Sequence, residues 1–294
     1  MATSADWIAG ARPRTLPAAV APVLAGTGVA AYHDAAVPWK ATLALVVALA
    51  LQVGVNYAND YSDGVRGTDA DRVGPLRLVG SGRAEPGHVK AAAFLCFGLA
   101  AVAGLVLAAT TAWWLVAVGA VSIVAAWFYT GGRRPYGYAG LGEVMVFCFF
   151  GLVAVVGTSY VQAEAWLLPE SVYAAVAIGV LACAILVANN LRDIPTDAEV
   201  GKHTLAVRLG DARTRTLYAV LVQVAALAMV LLAWSTTWWA LLGVFYAAPV
   251  APAARSVLEG ARGPDLVKVL QQTGLGELLM GAGIFFGVLW SQRP

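Results

Sequence analysis

The stretch from residue 172 to residue 197 reads VYAAVAIGVLACAILVANNLRDIPTD and decides the fold class. Its first part, residues 172–189, is apolar and long enough to cross the hydrocarbon core of a bilayer as a helix. Its last part carries two carboxylates, Asp193 and Asp197, just beyond that apolar run. The stretch therefore predicts a membrane-spanning helix with an acidic end.

Eight more apolar runs of comparable length lie along the chain. Of its 294 residues, 60% are hydrophobic and 12% are charged, about half the charged share of a typical soluble domain. The runs lack the two-residue alternation of β-barrel strands, so they favour helices. We therefore predict an all-α membrane protein with nine transmembrane helices, forming a single polytopic membrane domain over residues 1–294. The predicted spans are residues 16–32, 41–58, 91–109, 113–130, 141–161, 172–189, 217–234, 238–254 and 275–290.

Lysine and arginine are distributed unevenly between the two sides of the predicted bundle. Of the 19 such residues, only Lys40 and Arg293 lie on one side, which leaves 17 on the other. By the positive-inside rule the amino terminus is cytoplasmic and, after nine crossings, the carboxyl terminus lies outside. An Ala- and Arg-rich chain without a transit segment is consistent with a bacterial plasma membrane. The formal net charge of +2 argues against nucleic-acid binding.

A second acidic cluster closes the second span, in residues 56–72 with the sequence NYANDYSDGVRGTDADR. Four crossings separate it from the cluster after the sixth span, and an even number returns the chain to the same face. Asn59 and Asp63, like Asp193 and Asp197, are four residues apart and would share one helix face. Facing carboxylates repel each other, and hard oxygen ligands select Mg²⁺. The sequence predicts both clusters at the cytoplasmic mouth, around Mg²⁺ that binds a phosphorylated substrate.

Basic side chains accompany both clusters. Arg72 lies in the first cluster and Arg77 follows it, whereas Lys202 and Arg208 follow the second. Guanidinium and ammonium groups donate hydrogen bonds to phosphate oxygens, so these four residues are candidate diphosphate ligands. The alternative is that the acids are ordinary solvated loop residues that balance neighbouring arginines. Their concentration at the ends of two membrane helices favours a functional site.

Four stretches of the sequence resemble the UbiA-type membrane prenyltransferases. That superfamily carries an Asn-Asp-x-x-Asp motif after its second helix and an Asp-x-x-x-Asp motif after its sixth, and both occur here in that order. The resemblance implies nine helices around a central cavity, Mg²⁺ ions that bridge the diphosphate of a polyprenyl donor, and a lateral opening to lipid for its tail. The matching stretches are RPRTLPAAVAPVLAG at 12–26, NDYSDGVRGTDADRVGPLR at 59–77, YTGGRRPYGYAGLGE at 129–143 and NNLRDIPTDAEVGKHTLAVRLG at 189–210.

The resemblance also implies roles for individual residues of the two motifs. Asn59 and Asp63 match the metal ligands of the first motif, and Asp193 and Asp197 match those of the second. Asp60 matches the second letter of the first motif and is a candidate catalytic residue. The metal site is therefore expected to draw on both motifs.

Further candidates come from neighbouring positions in the matching stretches. The superfamily's third acid, four residues after Asp63, is replaced by Gly67, and Asp69 lies two residues further on. This shift resembles the branch that prenylates dihydroxynaphthoate and makes Asp69 a candidate catalytic residue. Tyr129 and Arg133 resemble a Tyr-x-x-x-Lys/Arg element that approaches the donor diphosphate, as a catalytic and a diphosphate-binding candidate respectively.

The reaction implied by the resemblance transfers a polyprenyl chain to 1,4-dihydroxy-2-naphthoate, releases pyrophosphate and carbon dioxide, and gives demethylmenaquinol. Cations stabilise the charge that builds on the departing pyrophosphate. Glu143, at the start of the fifth span, is a candidate to bind or deprotonate an acceptor hydroxyl, because a carboxylate there is costly without a partner. Candidates for contact with the allylic cation are Tyr57, Tyr61, Trp127 and Phe128.

Two alternatives to this function stay open at this point. A prenyltransferase with another acceptor, such as 4-hydroxybenzoate, haem, homogentisate or a phosphoribose, would need the same metal chemistry. An ion-coupled transporter also has many spans and intramembrane glycines, but carriers usually hold their coupling charges near the bilayer midplane. The acidic clusters at helix ends favour the enzyme, whose expected partners are the two substrates and the lipid bilayer.

Overall fold

The computed structural model describes residues 2–67, 76–165 and 168–292, and regular structure in those residues is entirely helical. Two candidate site residues, Asp69 and Arg72, lie outside the described residues. Short 3₁₀ segments occur at Pro13–Thr15, Tyr136–Ala139 and Trp238–Tyr246, and a π-helical segment occurs at Phe147–Val156. The α-helices are α1 (Ser4–Ala11), α2 (Pro17–Tyr32), α3 (Pro38–Arg66), α4 (Pro86–Thr110), α5 (Leu115–Phe128), α6 (Gly142–Val146), α7 (Gly157–Ala163), α8 (Pro169–Glu199), α9 (Leu205–Leu209), α10 (Asp211–Ser235), α11 (Ala247–Leu258) and α12 (Pro264–Ser291).

The helices confirm the prediction of an all-α membrane protein. Seven helical elements in the described residues are long and apolar enough to cross a membrane: α3, α4, the continuous element Gly142–Ala163, α8, α10, the element Trp238–Leu258 and α12. Ser4–Thr15 and α2 form an eighth candidate as a pair bent by 48°, and α5 is a shorter apolar helix. Each of the nine predicted apolar runs therefore coincides with a helical element.

Helices α3 and α8 continue well past the apolar runs that predict them. They contain 29 and 31 residues, which at the rise of an α-helix gives lengths of about 44 and 46 Å. A hydrocarbon core is only about 30 Å thick, so both helices project beyond it. The projecting ends carry the two acidic motifs, and within each motif the residues spaced by four lie on continuous helix.

The bundle is built around α8, the most enclosed of the candidate spans in the described residues. Its side chains Ile178 and Leu181 are fully buried in one core with Met229 of α10. Helices α2 and α12 meet backbone to backbone, because a Cβ atom at Gly281 would lie 2.5 Å from the carbonyl oxygen of Ala21. Small residues at such crossings let membrane helices approach closely.

We expect Gly281→Ala to destabilise the protein by about 1–3 kcal/mol, because the added methyl group would force α2 and α12 apart. The measurement is the melting temperature of the purified protein in detergent. Gly98→Ala in α4 is the matched control, since a Cβ atom there meets no atom within 4 Å. Equal melting temperatures for the two variants would contradict the close contact.

Candidate active site

The first acidic motif lies near the C-terminal end of α3. Asn59 and Asp63 are both buried, with 9% and 3% of their surface exposed. The hydroxyl of Thr130 donates to Oδ1 of Asn59 at 2.7 Å, and the phenol of Tyr138 donates to Oδ1 of Asp63 at 2.6 Å. The segment between α5 and α6 therefore orients both side chains of this motif.

The second acidic motif lies near the C-terminal end of α8, where Asp193 and Asp197 are also buried. Arg192 donates to both oxygens of Asp193, from Nε to Oδ1 at 2.7 Å and from Nη2 to Oδ2 at 2.8 Å. The amide nitrogen of Asn189 lies 3.5 Å from Oδ2 of the same carboxylate. This forked pairing fixes the plane of the Asp193 carboxylate.

Lys202 and Tyr138 connect the two motifs. The backbone N–H of Lys202 donates to the carbonyl of Asp197 at 2.8 Å, and its ammonium lies 3.9 Å from Oδ1 of Asp63. The same ammonium lies 4.6 Å from the centre of the Tyr138 ring, whose backbone carbonyl accepts the N–H of His203 at 3.0 Å. The two motifs therefore lie on the same side of the bundle, as the even number of crossings predicts.

A polar cavity of about 510 Å³ lies between the two motifs. All four predicted metal ligands line it, together with the predicted diphosphate ligands Arg77 and Lys202. Nη2 of Arg77 lies 3.7 Å from Oδ2 of Asp63, so acidic and basic groups from different elements face one volume. Such a cavity suits an anionic ligand that binds together with cations.

An apolar cavity of about 350 Å³ lies among α2, α3, α4, α5 and the element Gly142–Ala163. Its end remote from the motifs is lined by Ala44, Leu107 and Val161. The helical rise from Asn59 to Ala44, which are 15 residues apart on α3, is about 22 Å. The two cavities together suit a ligand with a charged head and a long apolar tail.

Six of the described residues line both cavities, and we call them the junction. Tyr129, a predicted catalytic residue, is one of them. Among the other aromatic groups on the apolar side, Tyr136 donates its hydroxyl to the carbonyl of Ala125 at 2.8 Å, and burial raises the pKa of this phenol. The junction residues are Ala18, Gln52, Asn59, Tyr129, Val146 and Phe150.

Asp60, the middle acid of the first motif, lines neither cavity. It is 1% exposed, and its carboxylate accepts the backbone N–H groups of Leu78 at 2.7 Å and of Val79 at 3.0 Å. These two bonds anchor the segment that carries the cavity residue Arg77 to α3. The geometry thus gives Asp60 an anchoring contact, and its catalytic role stays a prediction.

Three other described residues with a predicted catalytic or diphosphate-binding role also lie outside the two cavity walls. Glu143 is buried, and its Oε1 accepts the side-chain N–H of Asn190 at 3.0 Å. Because Asn190 lines the polar cavity and contacts Glu143, the Asn190 side chain connects the Glu143 carboxylate to the cavity wall. Arg133 and Arg208 are exposed, and their roles as diphosphate ligands stay predictions.

The structure adds cavity residues that the sequence motifs do not mark. Tyr138 and Thr130 belong to the matching stretch 129–143, but no spacing rule singles them out there. Arg14 lines the polar cavity, although the sequence marks it only as part of the matching stretch 12–26 and as one of the basic residues that orient the bundle. Gln52 has no sequence signal at all, because a lone amide within an apolar span gives no motif.

The predicted metal ligands form two pairs of oxygen donors on facing walls. Among the described residues, no three His, Cys, Asp or Glu side chains form a ready-made metal site. Mg²⁺ favours oxygen ligands, keeps several waters and binds through one or two carboxylates plus substrate phosphates. The donor set therefore fits ions whose coordination is completed by a phosphorylated substrate.

The fold and the cavities together define a class of protein, a membrane-embedded enzyme that binds a phosphorylated lipid at the end of a helical bundle. The UbiA prenyltransferase family matches residues 19–269 of the chain. The 1,4-dihydroxy-2-naphthoate octaprenyltransferase of Mycobacterium tuberculosis is 56% identical over 294 residues, which cover 99% of each chain. The chain therefore belongs to the UbiA prenyltransferase family and is a membrane-embedded prenyltransferase.

Solved structures of UbiA homologues share this fold. The apo structure of a homologue from Aeropyrum pernix K1 has a TM-score of 0.73 at 13% identity and covers 92% of this chain and 97% of its own. A homologue from Archaeoglobus fulgidus bound to GPP and Mg²⁺ has a TM-score of 0.61 at 13% identity and covers 97% and 99%. These likenesses confirm the predicted bundle.

Proposed function

We propose that this enzyme transfers a polyprenyl chain from polyprenyl diphosphate to 1,4-dihydroxy-2-naphthoate in a Mg²⁺-dependent reaction, as one polytopic domain over residues 1–294. The products are pyrophosphate, carbon dioxide and demethylmenaquinol. The observation that carries the proposal is that two remote acidic motifs line one polar cavity and that this cavity shares a junction with an apolar one. The naphthoate acceptor is proposed from the name of the mycobacterial relative.

The donor places its diphosphate in the polar cavity and its tail in the apolar cavity. Asn59 and Asp63 on one wall and Asp193 and Asp197 on the other would hold the metal ions. When bound, Mg²⁺ supplies positive charge that stabilises the departing pyrophosphate. These four side chains are suitable metal ligands because all of them carry oxygen donors and line one cavity.

Arg77 and Lys202 bind the diphosphate directly. Both cationic groups lie within 4 Å of the Asp63 carboxylate, at 3.7 and 3.9 Å, so they border the volume in which the metal ions would lie. Fixed positive groups in a water-poor site stabilise developing negative charge more strongly than water does. They therefore favour cleavage of the C–O bond to the pyrophosphate leaving group.

The acceptor meets the reacting carbon of the donor at the junction, beside Tyr129. A ring carbon of the naphthoate bonds to this carbon while the pyrophosphate oxygen keeps the electron pair of the broken C–O bond. The carboxylate on that ring carbon leaves as carbon dioxide, and the electron pair of its C–C bond returns to the ring and restores aromaticity, so no ring proton has to be removed. Apolar junction residues such as Val146 and Phe150 keep water away from the allylic cation, which water would otherwise trap as an alcohol.

We also propose that the polar cavity and the amino terminus face the cytoplasm of a bacterial cell and that the carboxyl terminus lies outside. The 17-to-2 distribution of basic residues supports this orientation. Lys40, one of the two exceptions, is 5% exposed, and its ammonium lies 2.8 Å from Oε1 of Glu164. Glu164 therefore neutralises the charge of Lys40, and Lys40 does not count against the orientation that the distribution of basic residues supports.

The proposed function is tested with purified enzyme, polyprenyl diphosphate, Mg²⁺ and one acceptor at a time. We expect a prenylated, decarboxylated product from 1,4-dihydroxy-2-naphthoate, detected by mass spectrometry, and none from 4-hydroxybenzoate or homogentisate. Turnover with one of the other acceptors alone would refute the naphthoate assignment. Movement of a solute by reconstituted protein that forms no product from prenyl diphosphate would refute prenyl transfer.

Tyr138→Phe is expected to lower kcat/KM for the prenyl donor by at least about 10-fold, because a hydrogen bond to a charged group contributes about 1.5–3 kcal/mol. The variant loses the 2.6 Å bond that orients Asp63 but keeps the ring beneath Lys202. Tyr160→Phe in α7 is the control, because Tyr160 lines neither cavity. Equal kcat/KM values for the two variants would show that Asp63 needs no such support.

A further inference from the structure

One buried side-chain atom at the junction has no hydrogen-bond partner in the described parts of the chain. Gln52 of α3 is 9% exposed and lines both cavities, and its oxygen Oε1 has no partner among the described residues. An amide oxygen in this state is unfavourable for folding, since it has lost water without gaining a donor. Its position where the two cavities meet points to a ligand that supplies the missing donor.

The contacts of the Gln52 side-chain nitrogen show which atom of the amide makes no hydrogen bond to the described residues. Nε2 of Gln52 and Nδ2 of Asn56 each lie 3.0 Å from the hydroxyl oxygen of Thr15. That hydroxyl donates its own proton to the carbonyl of Arg12 at 2.9 Å. Because Thr15 has no second proton, it only accepts from Gln52. Turning the amide over would require the Thr15 hydroxyl to give up its bond to the Arg12 carbonyl in order to donate to Gln52, so the observed orientation is the one that keeps both bonds, and it leaves Oε1 without a donor among the described residues.

The chemistry of the substrates decides which of them pairs with this oxygen. A metal-bound diphosphate offers only acceptor oxygens, and a polyprenyl tail has no polar group. An aromatic acceptor with phenolic hydroxyl groups is the one substrate of the proposed reaction that can donate a hydrogen bond. The junction is also where its ring must lie to reach the reacting carbon of the donor.

We propose that Gln52 binds the aromatic acceptor, with Oε1 accepting a hydrogen bond from a phenolic hydroxyl group. This contact holds the ring at the junction and makes Gln52 a determinant of acceptor specificity. The inference rests on the proposed function only in that the acceptor carries a phenolic hydroxyl. Sites that hydrogen-bond a substrate hydroxyl discriminate strongly against analogues that lack it, because the protein group is then left unpaired.

The test compares Gln52→Met with the unmodified enzyme on 1,4-dihydroxy-2-naphthoate and on the two analogues that each lack one of its ring hydroxyls. The unmodified enzyme should prefer the dihydroxy compound over one analogue by at least about 10-fold in kcat/KM. Gln52→Met should lose most of this preference through a raised acceptor KM, whereas its KM for the prenyl donor stays unchanged. The shorter Gln52→Asn, which withdraws the oxygen but keeps an amide, should lose it as well.

Gln223→Met in α10 is the matched control, since Gln223 is exposed and lines neither cavity. Its acceptor preference should equal that of the unmodified enzyme. If both Gln52 variants lose the same factor with all three acceptors, or keep the preference, the inference is overturned. If the unmodified enzyme uses a different phenol, the naphthoate assignment fails, and the comparison is made with that phenol and its deoxy analogue. Turnover of a non-phenolic acceptor alone would overturn both proposals.

Discussion

Removal of divalent cations with EDTA is expected to abolish prenyl transfer completely, and excess Mg²⁺ is expected to restore it. Three carboxylates from the part of the chain that the structure describes line the polar cavity, Asp63, Asp193 and Asp197, and the proposed ligand is itself an anionic diphosphate. Without metal ions the carboxylates repel this diphosphate, and the departing pyrophosphate loses its strongest charge stabilisation. Five basic side chains of the described residues also line this cavity, namely Arg12, Arg14, Arg77, Arg192 and Lys202. They do not replace the metal ions, because Arg77 and Lys202 lie beside Asp63, Arg192 is paired with Asp193, and a single positive charge stabilises pyrophosphate less than a divalent ion does.

The measurement is product formation from labelled polyprenyl diphosphate at increasing EDTA. EDTA saturated with Mg²⁺ beforehand is the control, since it adds the same chelator at the same concentration but removes no metal. The melting temperature of the chelated protein distinguishes loss of catalysis from loss of folding. Undiminished turnover in thoroughly chelated enzyme would be incompatible with a metal-dependent site between α3 and α8.

The spans were predictable because a helix in lipid must be apolar and must satisfy its own backbone hydrogen bonds. The residues at which the helices end were not predictable from the sequence. Residues 172–189 mark where the chain leaves the hydrocarbon core, whereas α8 continues to Glu199. A change in polarity indicates the edge of the membrane. A helix continues beyond that edge where tertiary contacts and water stabilise its exposed turns.

The pairing of Asn59 with Asp63 and of Asp193 with Asp197, each along one cavity wall, was predictable, because a spacing of four residues places side chains on one helix face. Contacts between distant segments were not predictable from the sequence. The hydrogen bond between Asp63 and Tyr138, which are 75 residues apart, is an example. The surroundings of aromatic side chains also depend on contacts between distant segments, which the sequence does not give. Tyr61 and Trp127 are candidates for contact with the cation, but they stack on each other at 6.0 Å and line neither cavity.

Asp63→Asn is expected to reduce kcat by about 10²–10³-fold, the usual effect of removing one charge-stabilising group. Asp60→Asn, three residues away, is expected to lower the melting temperature while kcat stays within a few-fold of the unmodified enzyme. Asp63 lines the polar cavity, whereas Asp60 accepts the N–H groups of Leu78 and Val79. An Asn at position 60 keeps one of these bonds and turns its own NH₂ towards the other donor, so the segment is anchored less firmly.

The two variants separate a metal-binding role from an anchoring role within a single sequence motif. Asp193→Asn extends the comparison to α8 and should behave like Asp63→Asn, because both carboxylates line the same cavity. All three variants are measured for kcat, for Mg²⁺ dependence and for melting temperature. If Asp60→Asn lost activity as strongly as Asp63→Asn at an unchanged melting temperature, Asp60 would act in catalysis. The segment after residue 76 would then have to rearrange when substrate binds, because its two hydrogen bonds now occupy that carboxylate.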